Sequence, residues 1–392
     1  MALQILYIQW NCLCASDVLE ALRDMGCRIR FLAAPKEDPF ERNESFCQQV
    51  TEALQAYPPD AVFSMNFFPS VSAACEANHI PYLSWIYDNP QTAAYDAYVK
   101  NRCNYVFSFD SYMVKQLQQR GVEQVYYAPL AVNCKRLEQL QITVEQRRKY
   151  ACQVAFVGSL YNEEHDYYST FLARAQDEHF RGYLEGLLSA QKLVYGYNFL
   201  AEALTPEIME VFHQAGAYRA PADFLLKEEE IYADVYLSRK LATINRMELL
   251  YIMGACFDVH LYTYKECPLP NVTQEGPIGY YEEMPKLFQM AKVNLNDTRR
   301  SIKNGIPLRA MEIMGAGGFL LSNYQEDFLL HFEPDKHMVL YSSLPEAVEK
   351  CDYYLKHEEQ RQQIAERAHA LMEQEHTYDI RLRQMFAVAG LL

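Results

Sequence analysis

Apolar residues in the first third of the chain fall in short runs of strand length, separated by stretches in which they recur at helical spacing. Ile5–Gln9, Arg28–Ala33, Ala61–Met65, Tyr82–Tyr87, Tyr105–Phe109 and Gln124–Ala128 read as strands. Ser16–Met25, Glu44–Tyr57, Ser70–Asn78, Gln91–Asn101 and Ser111–Arg120 read as the helices between them. Such alternation requires crossovers, hence parallel strands with right-handed connections, and predicts one doubly wound α/β domain. Pro129 to Lys149 reads as a charged, helical linker, which puts a boundary near residue 140.

A second alternation begins near Val154. It continues through a helix containing Asn245 and Arg246, a strand Phe257–Tyr262, a helix Tyr281–Ala291 and a strand Lys292–Asn296. That strand empties into the polar loop Asp297–Ser301, and Gly318–Ser322 reads as the next buried strand. From 161 to 240 the chain is rich in Glu, Tyr and Leu at helical spacings broken by Pro206 and Pro221, which predicts a helical insertion.

The stretch Ser301–Gly318 carries the clearest chemistry. Pro307 suits a first helical position, Gly315 and Gly317 suit the far end, and almost everything between is apolar except Arg309 and Glu312, three residues apart on one edge. A cation in a first helical turn opposes the terminal partial charge at a cost of ~0.3–1 kcal/mol, and a bound anion reverses that sign. A diphosphate over the turn Gly305-Ile306-Pro307-Leu308 would meet backbone amides and Arg309, with Asn296 and Ser301 in the preceding loop and Glu312 one turn deeper to accept from ribose hydroxyls. The alternative is an internal Arg309–Glu312 ion pair. The glycine cluster follows a helix and precedes a strand, the reverse of a dinucleotide fingerprint, which excludes an NAD site.

Asn294–Phe319 with the following Leu320-Leu321-Ser322-Asn323-Tyr324 resembles the C-terminal domain of CgeB-like, spore-maturation-type group 1 glycosyltransferases. Val154–Leu160 resembles that domain's first strand and His376-Thr377-Tyr378 its closing element. Trp85–Pro90 and Tyr127–Val132 resemble the DUF3880-type domain that accompanies it. The resemblance implies a GT-B fold of two facing Rossmann-like domains. These would be an acceptor-side domain over 1–140, a nucleotide-sugar domain over 141–375 carrying the insertion at 161–240, and a helix over 376–392 packing back toward the first domain. It implies a glycosyltransferase of the hexosyl or N-acetylhexosaminyl class. The donor would be a nucleoside diphosphate sugar, UDP-sugar favoured, and the acceptor a glycan, protein or small molecule of the bacterial surface-glycan type. Glu312 then matches the carboxylate that grips the ribose, Gly158 and Ser159 lie beside the diphosphate, and Arg246 is a second diphosphate cation, with a solvated helix arginine as the alternative. Wider retaining enzymes carry a second Glu where this chain has Asn304, which leaves inversion or retention open.

In the first domain the polar strand-end residues are Trp10, Asn11, Asn66, Asp88, Asn89 and Asp110. Asp88 reads either as the base toward an acceptor hydroxyl or as an ordinary helix N-cap, and Asp110 as a cap. Asp88, Arg309 and Glu312 are therefore the candidate catalytic residues.

The formal charge of −15 excludes nucleic acid and anionic membrane as partners, since no polybasic run offsets it. No leader pattern or apolar span is present, so a cytoplasmic protein without integral membrane association is expected. The 11 cysteines include no C-x-x-C pair, and Cys12 and Cys14 read as packed thiols or, alternatively, as a redox couple. Neither H-E-x-x-H nor Asp-x-Asp occurs, so no metal site and no required cofactor are expected. Two other readings stay open: a catalytically silent sugar-nucleotide-binding module, and a GT-B-type sugar-nucleotide epimerase.

Overall fold

Each alternation becomes one fully parallel six-stranded sheet in the computed structural model, which describes residues 2–162, 166–216 and 218–392. Residues 163–165 and 217, inside the predicted insertion, lie outside the described residues. The first sheet comprises β1 (Gln4–Gln9), β2 (Arg28–Ala33), β3 (Ala61–Met65), β4 (Tyr82–Ile86), β5 (Asn104–Ser108) and β6 (Val125–Tyr127), in the order β2-β1-β3-β4-β5-β6. The second comprises β7 (Val154–Val157), β8 (Val259–Tyr262), β9 (Val272–Gln274), β10 (Val293–Asn296), β11 (Leu320–Asn323) and β12 (Val339–Tyr341), in the order β12-β11-β10-β7-β8-β9. The chain divides into two units: Met1–Asn133 with Pro221–Leu226 and Glu375–Leu392, and Cys134–Ala220 with Lys227–Gln374.

In the first unit β3 and β4 are buried along their whole length, which is why they read as continuous apolar runs rather than alternating ones. Trp85 in β4 is fully buried. Its indole N–H donates to the Ala128 carbonyl at 3.2 Å, and its ring meets Tyr378 edge-on at 5.9 Å. Tyr378 opens the last helix, Tyr378–Val388, whose Phe386 packs on Phe63 of β3 at 6.4 Å. The predicted helix Gln91–Asn101 is instead two short 3-10 turns, Thr92–Tyr95 and Ala97–Lys100. Asp96 between them is extended. Its carboxylate accepts from the Tyr98 amide and from Arg42 Nε at 2.7 Å, so a side-chain ion pair fixes the break. Arg42 also pairs with Asp223, and the Leu225 amide donates to the Tyr95 carbonyl, which ties segment 221–226 into this unit.

In the second unit Phe156, Leu261, Leu295, Leu321 and Tyr341 join one core beneath the sheet. The insertion has a core of its own, built on Phe171, Phe180, Phe212 and Tyr232, with Phe212 4.6 Å from Tyr232 and 4.8 Å from Phe180. Its helices Tyr167–Ala175, Glu178–Lys192 and Pro206–Gln214 pack around a longer run, in which Glu228–Ile231 passes through a π-helical stretch, Tyr232–Leu237, into Ser238–Cys256. Among the described residues no helix is long and apolar enough to cross a membrane.

Gly318 joins the end of the Leu308–Gly315 helix to β11 in a place with no room for a side chain. A Cβ there would lie 2.6 Å from the Phe288 carbonyl oxygen and 2.7 Å from Asn294 Nδ2. Gly318→Ala is expected to destabilise by ~1–3 kcal/mol through overpacking. Gly182→Ala, in an exposed helical position with nothing within 4 Å, is expected to stabilise by ~0.5–1 kcal/mol. Urea titration of the two variants checks the opposite signs.

Candidate active site

In the second sheet the strand order reverses between β7 and β10, so the loops leaving their carboxyl ends flank a crevice of the kind in which α/β sheets hold ligands. Arg246 reaches this crevice from the Ser238–Cys256 helix. Its Nη1 donates to the Ser159 carbonyl after β7, its Nη2 to the Asp297 carbonyl after β10, and its Nε lies 3.7 Å from the Asp297 carboxylate. The guanidinium is buried and lies over the Tyr161 ring at 4.7 Å, so Arg246 is a clasp across the switch point rather than a solvated helix arginine.

The loop after β10 contributes more charge than its polar pattern suggested. Arg299 is half-buried, desolvation pushes its pKa down, and its Nη2 donates to the carbonyls of Asp234 and Val235 at 2.7 and 2.8 Å. Those carbonyls belong to the π-helical stretch. Arg300 is buried over the Tyr195 ring at 4.2 Å; its Nε and Nη2 have no hydrogen-bond partner among the described residues. Lys303 sits 3.4 Å from the Asp234 carboxylate. Burial pushes Asp297 and Asp234 up against the pull of these cations. Among the described residues the cations Arg246, Arg299, Arg300 and Lys303 outnumber the carboxylates of Asp234 and Asp297, which gives this part of the crevice an excess of positive charge. Sequence reasoning missed Arg299, Arg300 and Lys303 as individual contributors. The signal available was the Asp297-Thr298-Arg299-Arg300 sequence directly after a buried strand, whereas Tyr161, Tyr195 and Asp234 reach the loop only through long-range folding.

The helix that the sequence bracketed runs Leu308–Gly315, with Pro307 at the cap position, one residue before its predicted place. The Pro307 carbonyl accepts from the amides of Ala310 and Met311, while the amides of Leu308 and Arg309 take no partner among the described residues. Gly317, not Gly315, supplies the positive φ of 78° at the far end. Arg309 Nη1 donates to Glu312 Oε2 at 2.7 Å and also contacts the Met284 sulfur. The ion pair offered as the alternative is thus present, on the half-buried edge of the helix, with side-chain exposures of 23% for Arg309 and 10% for Glu312. Ser301, Asn304, Gly305 and Ile306 are buried, and the turn is pinned from below: Gln325 Nε2 donates to the carbonyls of Ile302 and Gly305, and the Asp327 amide to that of Asn304.

Two predicted contributors are turned inward. The Gly158 amide donates to the Tyr262 carbonyl at 3.1 Å, because β7 pairs with β8 at that point, so it is not among the groups a phosphate would meet. The Asn296 amide nitrogen donates to Thr298 Oγ1 and Ser322 Oγ, and its carbonyl accepts from Tyr341, so this residue organises the loop.

In the first sheet the order reverses between β1 and β3. The Trp10 indole donates across that point to the Met65 carbonyl at 2.7 Å. Asn66, in the left-handed region at φ 64°, ends β3. Its Oδ1 accepts from the amides of Tyr87 and Asp88, and its Nδ2 donates to Asp88 Oδ2 at 2.8 Å. Asp88 is no helix cap, since the next helical turn starts at Thr92 after Gln91. Burial pushes its pKa up, offset in part by the Asn66 bond. Asp110 does cap its helix, accepting from the Tyr112 amide at 3.0 Å. Asn11 is exposed beyond β1, and Asn89 Nδ2 reaches Asp110 at 3.5 Å.

All eleven cysteines are free thiols, with Cys12 and Cys14 sulfurs 3.4 Å apart. One group of metal-ligating side chains converges among the described residues: Glu138, His369 and Glu373, with ligand atoms within 4.8 Å of one another. It shares no residue with either switch point. His369 Nδ1 bonds to the Gly315 carbonyl at 2.8 Å.

Two doubly wound parallel domains, the second with a cationic crevice at its switch point, define a protein of the GT-B fold class. Residues 239–387 match the family described as glycosyl transferase-like. No curated protein matches the chain. Among solved structures, a glycosyltransferase from Rickettsia africae is 11% identical, with 99% of each chain covered and a TM-score of 0.55. Sucrose-phosphate synthase from Thermosynechococcus elongatus is 10% identical over 99% of this chain and 98% of its own, with a TM-score of 0.57. Anabaena HepE in complex with UDP-glucose is 13% identical over 100% of both chains, with a TM-score of 0.55. At these identities the likeness is one of fold.

Replacing Arg246 by Met keeps the apolar stem but leaves two buried carbonyls and the Asp297 carboxylate without their cation. A loss of ~3–5 kcal/mol is expected, read from the urea midpoint.

Proposed function

We propose that this protein is a metal-independent glycosyltransferase that moves a sugar from a nucleoside diphosphate, UDP favoured, to a hydroxyl of an acceptor, and that it is of the CgeB-like kind. The observation that carries this reading is the buried excess of guanidinium groups at the β7/β10 switch point, in a stretch that overlaps the glycosyl transferase-like match. Breaking the glycosidic bond to the diphosphate moves negative charge onto the leaving phosphate. The amides of Leu308 and Arg309, without a partner among the described residues, are preorganised donors for that charge, and buried Arg300 adds its positive field. Fixed cations in this role do the work a divalent metal does elsewhere, and EDTA is expected to leave turnover unchanged.

In the same reading Glu312 holds the ribose hydroxyls. Donor binding draws Arg309 toward phosphate, which makes the Arg309–Glu312 pair the resting arrangement of two substrate-binding groups. Asp88 takes the proton from the acceptor hydroxyl as the new glycosidic bond forms. UDP-glucose is bound by the Anabaena protein of like fold, and a UDP-sugar is the first donor to try.

Arg309→Ala is expected to lose most transfer while its circular dichroism spectrum stays that of the folded protein. Wild-type turnover in that variant would remove Arg309 from the mechanism. Asp88 acts as a base only when ionised, and its pKa is raised, so transfer should fall with decreasing pH at a point above the ordinary carboxylate range. Asn66→Ala removes the bond that lowers that pKa and should move the acid limb of kcat/KM further up, whereas a limb unmoved by Asn66→Ala would assign the titration to another group.

A further inference from the structure

Glu138, His369 and Glu373 converge at a place the transfer reading does not use, and all three belong to the second unit. Glu138 ends the short helix Cys134–Glu138, and Cys134 lies on the same face of it, one turn earlier. His369 and Glu373 share a face of the helix Glu358–Glu375 by the same i,i+4 spacing. No local motif marks the cluster, because its members come from helices far apart in the chain. Glu138 is exposed, and the His369 and Glu373 side chains are 31% and 37% exposed, so an ion from solvent reaches all three.

The two carboxylates are within hydrogen-bonding reach of one another, and Glu373 is the largest influence pushing the Glu138 carboxyl up. Two ionised carboxylates repel at that range unless a proton or a cation stands between them. Among the described residues no Lys or Arg acts on Glu138, whose charged surroundings are Glu373 and His369. His369 decides between proton and metal. Its Nδ1 lies 2.8 Å from the Gly315 carbonyl, which can only accept, so Nδ1 carries the hydrogen and the neutral ring keeps its lone pair on Nε2. Nε2 lies 3.5 Å from Glu373 Oε1. That is longer than the bond of about 2.7–2.9 Å that a protonated ring makes to a carboxylate, and close to the ~3.3 Å between two ligands of one tetrahedral ion bound at about 2.0–2.1 Å. Cys134 adds a separate observation. It is 4% exposed, its thiol makes no hydrogen bond among the described residues, and burial together with Glu373 and Glu138 pushes it up to about 12. A cation between those carboxylates reverses the field on this buried thiol and draws it toward the thiolate form.

We propose that Glu138, His369 and Glu373 bind a zinc ion. An imidazole with two carboxylates suits zinc, whereas magnesium and calcium take oxygen ligands throughout. The chain passes from the first unit into the second at Asn133–Cys134 and returns at Gln374–Glu375, so the ion ties together the segments that adjoin those two passages. It shares no residue with the donor crevice; its removal acts on unfolding and not on turnover, and the site stands whether or not the transfer reading does.

Calorimetric titration of the full chain, cleared with EDTA and dialysed, with ZnCl2, MgCl2 and CaCl2 tests this. One zinc per chain is expected, with a Kd at least about a hundredfold below that for magnesium or calcium. His369→Gln, Glu373→Gln and Glu138→Gln are each expected to weaken zinc at least about tenfold. Zinc at about a hundred times its Kd should raise the thermal midpoint of the wild type by ~3–5 °C and that of the variants by less. Glu138→Gln also carries a change of sign. Without zinc it removes a repulsion and leaves the midpoint at or above wild type, and with zinc its midpoint falls below wild type. Equal zinc affinity in the wild type and all three variants would put the ion elsewhere on the surface and overturn the site. Magnesium or calcium binding as tightly as zinc would overturn it too. So would a Glu138→Gln midpoint that lies equally far below wild type with and without zinc, since the cluster would then be an ion pair complete in itself.

Discussion

A single buried guanidinium organises the second unit. Arg246 ties the carbonyl after β7 to the carbonyl after β10, which are the two chain ends that a reversal of strand order leaves apart. Removing those carbonyls from water without a donor would be costly, and a plain packing residue could not satisfy both. The clasp brings Asp297 inside with it, and Asp297 in turn lies in the field of Arg300. The positive charge that the described residues gather at the crevice is therefore a by-product of how the sheet closes its own switch point.

The π-helical stretch serves the same end from the other side. Its Asp234 and Val235 carbonyls hold Arg299, while the Asp234 side chain meets Lys303.

Much of the architecture was legible because buried parallel strands announce themselves as short apolar runs. The inner strands of the first sheet were visible in this way, the edge strand β2 showed by alternation instead, and the polar loop after Asn296 could be placed at a strand end. What failed did so where side chains overrule local pattern. The Gln91–Asn101 segment has helical spacing, but the Asp96–Arg42 pair breaks it, and Arg42 is far away in sequence. Of the two readings of Asp88, the cap rested on the Asn-Pro that follows it, whereas Asn66 from beyond another strand bonds its carboxylate. Gly158 and Asn296 were placed at the correct loops, but their polar groups are absorbed by β8 and by Thr298 and Ser322, partners no linear reading identifies. The Arg309–Glu312 edge was read correctly as a pair of neighbours, since i,i+3 contact follows from helix geometry alone.

The way the last helix completes the first unit has a consequence for biosynthesis. Trp85 and Phe63 acquire their partners Tyr378 and Phe386 only near the carboxyl terminus, and Arg42 acquires Asp223 only from the insertion. A nascent chain that has emerged through Asn133 therefore has all six strands of its sheet but lacks the surfaces that cover them. The unit synthesised first carries an uncovered aromatic face until residues 221–226 and 375–392 have also been made.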